Sequence, residues 1–258
     1  MDVPRHLPGA AALLSALVAG TPARAAEVLV AVAANFAEVV SHLDPEFERR
    51  TGHTLLITTG STGKLYAQIV SGAPFHVLLS ADAATPARLE REGLAVSGTR
   101  FTYAIGALAL WSRDPARIGG DGPAVLRDGD FRHLALANPD LAPYGVAARE
   151  TMQSLGVWDG LASKLVMGEN VGQVHSMVAT GNAELGFVAL SALRSPRTRT
   201  TGSLWEVPQR LHAPIRQDAV LLRAGAGNPG ARAFLDHLGS ASARAVIRAH
   251  GYSIDAPR

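Results

Sequence analysis

Four short loops rich in glycine or asparagine each lie between a segment typical of a strand and a segment typical of a helix. A helix N-terminus presents unpaired backbone N–H groups and the positive end of the helix dipole, so it can bind an anion. Because two of the loops fall in each half of the chain, we expect two lobes that close on one small anion. The loops are Ala34-Asn35-Phe36, Gly60-Ser61-Thr62-Gly63, residues 138–145 and Glu169-Asn170-Val171-Gly172.

Strand-like and helix-like segments alternate along most of the chain, which predicts parallel strands joined by right-handed crossovers. Residues 28–33 are apolar enough for a strand buried on both faces. Residues 101–111 are predicted to form one long strand with Gly106 inside it. Ligands of such sheets bind beyond the carboxyl ends of the strands, where all four loops fall. The loops contain Ser, Thr, Asn and Gly but few cations, so we expect the anion to be held by neutral donors.

The N-terminal residues have the order of a secretory signal. Arg5 and His6 precede an apolar stretch over residues 9–19, and Ala23-Arg24-Ala25 follows it. The alternative, a short buried helix, is less compatible with the prolines and glycine that interrupt the segment, and the stretch is too short to span a bilayer. We therefore expect residues 1–25 to be a signal peptide that is removed on export to the periplasm.

The chain has 258 residues and no cysteine, which excludes disulfides, thiol catalysis and a lipid anchor on an N-terminal cysteine. Its formal net charge of +2 gives no reason to expect a nucleic-acid partner. The histidines show no zinc-site spacing, and Asp82 is expected to cap a helix rather than to bind a metal. The loop at residues 60–63 lacks the phosphate-loop spacing, and no Gly-x-Ser-x-Gly motif occurs. No cofactor and no enzymatic activity are expected.

Seven segments, in their order and spacing, resemble periplasmic molybdate-binding proteins, the substrate-binding components of molybdate ABC importers. They are Val32-Ala33-Ala34-Asn35-Phe36, residues 60–69, Gly72-Ala73-Pro74, Leu79-Ser80-Ala81-Asp82, residues 138–145, residues 169–173 and residues 185–189.

The resemblance implies an α/β, two-lobed type II periplasmic-binding-protein fold, in which each lobe is a mostly parallel sheet flanked by helices. Lobe 1 would comprise residues 26–103 and 217–258, and lobe 2 residues 104–216. The resemblance further implies a monomer that captures molybdate, and tungstate, between the lobes and delivers it to a membrane permease. Molybdenum would enter only as the bound oxyanion. Alternatives are another tetrahedral oxyanion such as sulfate or phosphate, or an exported enzyme that uses the same cleft.

The resemblance also assigns the oxyanion-binding residues. Asn35, beside Ala34, stands where many members have a serine, and Ala189 stands where many have a tyrosine. Ser61 and Thr62 form the second contact, and either one could cap the helix while the other donates to the ligand. Tyr144 and Val171 would contribute backbone N–H groups, although Tyr144 could instead be a surface aromatic. Asn35 is expected to combine ligand binding with an N-cap role. The predicted set is Ala34, Asn35, Ser61, Thr62, Tyr144 and Val171.

Overall fold

The computed structural model describes residues 25–195 and 201–254, which form two α/β lobes, each built on a five-stranded sheet. This confirms the predicted two-lobed fold. The predicted signal peptide lies outside the described residues except for Ala25. In the part of the chain that is described, no helix has the length and apolar character needed to cross a membrane.

Lobe 1 contains the N-terminal strands and the C-terminal helices, with elements numbered along the chain. Its strands are β1 (Glu27–Ala33), β2 (Thr54–Gly60), β3 (Val77–Leu79), β4 (Phe101–Gly106) and β10 (Ile215–Leu221), in the order β2-β1-β3-β10-β4. Its helices are α1 (Ala37–Thr51), α2 (Thr62–Val70), α3 (Ala84–Arg91), α9 (Pro229–Leu238) and α10 (Ala241–Ala249). Single 3₁₀ turns are formed by Ala34–Phe36, directly before α1, and by Arg223–Gly225.

Lobe 2 is formed by the middle of the chain. Its strands are β5 (Leu108–Ser112), β6 (Leu134–Ala137), β7 (Leu165–Gly168), β8 (Leu185–Ala189) and β9 (Ser203–Glu206), in the order β7-β6-β8-β5-β9. Its helices are α4 (Ala124–Asp128), α5 (Pro143–Ser154), α6 (Trp158–Leu161), α7 (Val171–Ala179) and α8 (Leu190–Leu193). Two 3₁₀ turns, Ala162–Lys164 and Gln209–Leu211, complete the lobe.

The strand directions are more mixed than the alternating pattern predicts. In lobe 1, β1 pairs in parallel with β2 and β3, whereas β10 is antiparallel to β3 and β4. Lobe 2 repeats this plan, with β6 parallel to β7 and β8 and β5 antiparallel to β8 and β9. The parallel half of each sheet carries the four loops, because they follow β1, β2, β6 and β7. The antiparallel half contains the strands at which the chain passes between the lobes.

The long strand predicted over residues 101–111 is wrong, because it is two strands in different sheets. β4 pairs with β10 in lobe 1, and β5 pairs with β8 and β9 in lobe 2, with Ala107 between them. β4 and β10 belong to the lobe 1 sheet over their whole length, whereas the predicted lobe boundaries at 103/104 and 216/217 fall inside them. A Cβ atom at Gly106 would lie 2.2 Å from the Tyr144 hydroxyl oxygen, so this crossing point requires glycine.

Helix α1 shows how the apolar pattern fixes a loop in place. Val39, Val40, Leu43 and Phe47 recur at helical spacing, and all four are buried against the lobe 1 core. Gly52 ends the helix in the left-handed conformation, at φ 71°. Because one face of α1 is packed along its length, its N-terminus is held at the carboxyl end of β1.

Gly145 marks the closest approach of α5 to its sheet, and its replacement tests that packing. A Cβ atom there would lie 2.1 Å from the Ala137 carbonyl oxygen at the end of β6. Because the obstacle is a backbone atom, we expect Gly145→Ala to lower the free energy of unfolding by about 3 kcal/mol, at the upper end for overpacking. This corresponds to a fall in Tm of roughly 6–12 °C for a chain of this size. The measurement is thermal unfolding followed by circular dichroism.

Gly160→Ala is the matched control, because no atom lies within 4 Å of a Cβ atom added there. We expect its Tm to equal or exceed that of the parent, since alanine is the better helix former by about 1 kcal/mol. A Gly145→Ala protein as stable as the control would contradict the close approach of α5 to β6.

Candidate functional site

The six residues predicted to bind the anion all line one small cavity between the lobes. The cavity is completed by Ala33, Gly60, Ala81, Ala142, Pro143 and Asn170. None of the described residues that line it carries a charged side chain. The fold therefore brings together residues from both lobes. Two of them, Ala34 and Val171, are 137 positions apart in the sequence.

Four helix N-termini converge on this cavity. Lobe 1 contributes the 3₁₀ turn that begins at Ala34 and leads into α1, and α2, which begins at Thr62. Lobe 2 contributes α5, with Tyr144 in its first turn, and α7, which begins at Val171. N–H groups in a first turn have no acceptor within their own helix, and each helix dipole places partial positive charge there. The helix ends thus direct partial positive charge at the cavity although its lining side chains are uncharged.

The hydroxyl groups of Ser61 and Thr62 have separate roles. Ser61 is the N-cap of α2, and its Oγ accepts a hydrogen bond from the Lys64 N–H at 3.3 Å. Thr62 Oγ1 accepts from the Ala81 N–H at 3.1 Å. Because this bond uses only a lone pair of Thr62, its hydroxyl hydrogen remains available to an acceptor in the cavity. Ser61 is therefore the cap of α2. Its hydroxyl hydrogen is not used by the capping bond either, so the choice of Thr62 as the donor to the ligand stays a prediction.

Asn35 is not an N-cap, which corrects the prediction for this residue. It lies inside the 3₁₀ turn rather than before it, and the N-cap positions are occupied by Ala33 and Phe36. Its side-chain amide instead donates to Gln217 Oε1 at 2.8 Å and to the Tyr252 hydroxyl at 3.0 Å. Both amide hydrogens therefore have protein acceptors, and the backbone N–H is the donor that Asn35 can offer to the cavity.

A buried polar network behind the cavity was not foreseen from the sequence. Gln217 is fully buried in β10, where its Nε2 donates to the Tyr144 hydroxyl at 3.3 Å and its Oε1 accepts from the Tyr103 hydroxyl at 3.1 Å. Tyr252 donates to the Asn35 carbonyl at 2.7 Å and contacts Ser191 Oγ at 3.0 Å. Tyr144 is only 2% exposed, so the surface-aromatic alternative is wrong. No local motif marks Tyr252, which is 217 residues from Asn35.

The network remains uncharged at neutral pH. Burial raises the pKa of Tyr252 to about 12, and it raises the pKa of Tyr103 and of Tyr144 well above the usual value. Neutral phenols can donate as well as accept, so the chain of hydrogen bonds stays intact. The cavity is consequently backed by polar but neutral groups.

The two lobes touch at the rim of the cavity. The Gly63 N–H donates to the Leu141 carbonyl across the cleft at 2.9 Å, and a Cβ atom at Gly63 would lie 3.1 Å from the same oxygen. Beside it, Lys64 Nζ forms an ion pair with Glu169 Oε2 at 3.0 Å. These contacts join the second loop to the third and fourth loops, so the structure is that of a closed cleft.

Two further sequence positions have clear structural roles. Asp82 Oδ1 accepts from the Thr85 N–H at 2.7 Å in the first turn of α3, while Ala83 occupies the N-cap position itself. Ala189 ends β8 and is buried. A hydroxyl group is supplied two residues later by Ser191, whose Oγ lies 3.3 Å from the Asn35 carbonyl oxygen in the other lobe.

Comparisons with known proteins agree on one family. Residues 28–253 match the family model described as bacterial extracellular solute-binding protein. The chain is 50% identical over 232 residues to the molybdate-binding protein ModA of Azotobacter vinelandii, and the aligned region covers 90% of this chain and 92% of that protein. It is 49% identical over 244 residues to the molybdate-binding protein ModA of Rhodobacter capsulatus, with 95% of each chain covered.

Solved structures show the same fold. The Azotobacter vinelandii periplasmic molybdate-binding protein superposes with a TM-score of 0.85 at 40% identity, over 89% of this chain and all of that chain. The sulfate-binding protein SubI of Mycobacterium tuberculosis superposes with a TM-score of 0.72 at 11% identity, over 88% of this chain and 86% of that chain. The likeness to SubI shows a shared fold only.

The buried network predicts how stability depends on pH. Because the pKa of Tyr252 is about 12 in the folded state and about 10 when unfolded, the unfolded chain releases this proton first. The contribution of Tyr252 to the free energy of unfolding is fully present below pH 10. It is lost as the pH rises to 12, at about 1.4 kcal/mol per pH unit. We expect Tyr252→Phe, which cannot ionise, to show a shallower fall. The measurement is urea unfolding between pH 8 and 11.5.

Tyr66→Phe is the control, because Tyr66 lies outside the network and pairs with Glu92 on the surface of lobe 1. Its stability should fall with pH nearly as steeply as that of the parent. The sequence contains only two lysines and four tyrosines, so few other groups titrate in this range. Identical slopes for the parent and Tyr252→Phe would contradict the burial of a neutral Tyr252.

Proposed function

The chain belongs to the bacterial extracellular solute-binding protein family, and from this premise we propose that it binds molybdate between its lobes and delivers it to an ABC importer. The observation that carries the proposal is the convergence of four helix N-termini, two from each lobe, on one cavity with an uncharged lining. Relatives of about 50% identity over nearly the whole chain are named for molybdate binding.

A tetrahedral dianion suits the donors that this cavity offers. A buried charge is tolerated only when its oxygens are hydrogen-bonded, and hydrogen bonds to a charged acceptor are about twice as strong as neutral ones. The first-turn N–H groups of Asn35, Thr62, Tyr144 and Val171 and the Thr62 hydroxyl lie on both sides of the cleft. Closure of the lobes would therefore surround the anion and exclude water from it.

Molybdate and tungstate are tetrahedral dianions of similar size, and we expect the cavity to accept both. Sulfate is smaller, so a cavity shaped for the larger ions would lose hydrogen bonds to it. Sulfate or phosphate as the main cargo is not favoured, since the relatives of about 50% identity are named for molybdate binding. An enzymatic role is not favoured either, because the lining hydroxyls of Ser61 and Thr62 have no His or carboxylate beside them in the cavity lining.

The remaining parts of the proposal follow from the same assignment. The signal peptide predicted for residues 1–25 would direct the chain to the periplasm, where a soluble binding protein meets its cargo. The closed form, in which Gly63 and Leu141 are joined across the cleft, would be the form presented to the membrane permease. We expect the protein to act as a monomer with no cofactor other than its oxyanion cargo.

The proposed function is tested by thermal unfolding of a refolded, ligand-free sample with sodium molybdate, tungstate, sulfate or phosphate. A ligand that binds only the native state, at a thousand times its Kd, adds about 4 kcal/mol of stability, or roughly 8–16 °C in Tm for this size. Molybdate and tungstate should produce shifts of this order, and equimolar sulfate should produce a much smaller one. Equal shifts with sulfate would contradict the assigned cargo, and no shift with any oxyanion would contradict the site.

The role of the Thr62 hydroxyl is tested by two substitutions of similar shape. Thr62→Val removes a hydrogen-bond donor to a buried charge, a loss of about 1.5–3 kcal/mol, so the Kd for molybdate should rise about 10- to 100-fold. Thr62→Ser retains the hydroxyl and should bind within a few-fold of the parent. Both values come from isothermal titration calorimetry. A Thr62→Val protein that binds as tightly as Thr62→Ser would show that this hydroxyl does not contact the anion.

A further inference from the structure

A second group of chemically active side chains lies on lobe 1, outside the cavity described above. Glu38 and His42 are one turn apart on α1, and His250 follows the end of α10. One ligand atom from each of these residues lies within 4.8 Å of the others. None of the three belongs to the lining of the oxyanion cavity. The proposed function therefore does not account for this cluster.

The two histidines face each other through ring nitrogens that are 2.9 Å apart, His42 Nδ1 and His250 Nε2. His250 Nδ1 lies 2.8 Å from the Val246 carbonyl oxygen, which can only accept, so this nitrogen carries the proton. His250 Nε2 consequently presents its lone pair to the cluster. A ring N–H bonded to a backbone carbonyl is the usual support of a metal-ligating histidine, because it fixes both the tautomer and the ring orientation.

The burial of the three residues and the route to them from the cleft also suit a bound metal ion. His250 is only 2% exposed, and Glu38 and His42 are half-buried. A small neighbouring cavity, lined in part by Glu38 and His250, lies between the lobes and gives a route to the cluster. Ser195 of lobe 2 donates a hydrogen bond to Glu38 Oε1, so the carboxylate is oriented from outside the cluster.

We propose that Glu38, His42 and His250 form a binding site for a divalent transition-metal ion, with zinc as the best match. Two imidazoles and one carboxylate are a recognised zinc donor set that leaves a fourth position for water, and imidazole ligands favour zinc, copper and nickel over magnesium or calcium. Two nitrogens bound tetrahedrally to one zinc lie about 3.3 Å apart. The rings need to separate by only a few tenths of an ångström, and His42 binds through Nδ1 in its other tautomer.

This site is separate from the proposed oxyanion function. It lies on lobe 1, which supplies all three ligands, and lobe 2 contributes the Ser195 contact to Glu38. A cation there is held whether or not molybdate is bound. The metal would stabilise the packing of the C-terminal residues against α1, since His250 and His42 come from the two ends of the described chain.

The experiment is titration of the mature chain, without a histidine tag, with zinc chloride in a phosphate-free buffer, followed by calorimetry. The parent should bind one zinc ion per chain. His42→Asn and Glu38→Gln should each bind at least tenfold more weakly, because each removes one of three ligands. Zinc should also raise the Tm of the parent and not that of the variants.

His133→Asn is the matched control, because His133 is an exposed histidine in lobe 2. It should bind zinc as tightly as the parent. Each variant is first shown to be folded by its far-UV circular dichroism spectrum and by a cooperative thermal transition in the absence of any ligand. The proposal is overturned if the parent binds no stoichiometric zinc, or if folded His42→Asn and Glu38→Gln proteins bind zinc as tightly as the parent.

Discussion

Unpaired backbone N–H groups concentrated in one closed cavity are the constraint on which the rest of this structure depends. Each first-turn N–H lacks an acceptor in its own helix, and leaving it buried and unpaired costs about 1–3 kcal/mol. In a closed cleft water supplies few acceptors, so an anion that accepts from several of these groups removes a penalty as well as adding attraction. The oxyanion and the closed state therefore stabilise each other. The rim contact between Gly63 and Leu141 can form only when the lobes approach this closely.

The buried network fixes the positions of these N–H groups. Gln217 connects Tyr103 and Asn35 of lobe 1 to Tyr144 of lobe 2, and it lies on β10, one of the two strands next to the points where the chain crosses between lobes. Tyr144, which lines the cavity in the first turn of α5, is thereby held through its side chain. Such networks are costly when half satisfied, so the same hydrogen bonds that orient the loops also favour one relative position of the lobes.

The sequence predicted the parts of this arrangement that are local. A strand-like segment, a small polar loop and a helix-like segment are readable in one window, so the four loops and two lobes could be predicted from the residues. The six individual cavity residues were assigned through the resemblance to periplasmic molybdate-binding proteins. Strand direction could not be predicted, because the residue pattern of a strand such as β10 does not show whether it pairs in parallel or antiparallel. The break between β4 and β5 was missed because residues on both sides of Ala107 are equally strand-like. Asn35 was assigned to a cap by residue type, but its partners Gln217 and Tyr252 are 182 and 217 residues away.

The distribution of charge around the cavity explains how selectivity could arise without a countercharge. Lys64 is a cation close to the second loop, but its Nζ is paired with Glu169 across the cleft, so the pair adds little net field at the cavity. The attraction then comes from helix dipoles and N–H groups, which act only over the distance of a turn or a hydrogen bond. Sulfate and molybdate carry the same charge, so a point charge would barely distinguish them. Directed donors fixed by two rigid lobes respond instead to the size of the ion, because a smaller tetrahedron cannot reach donors on both sides at once.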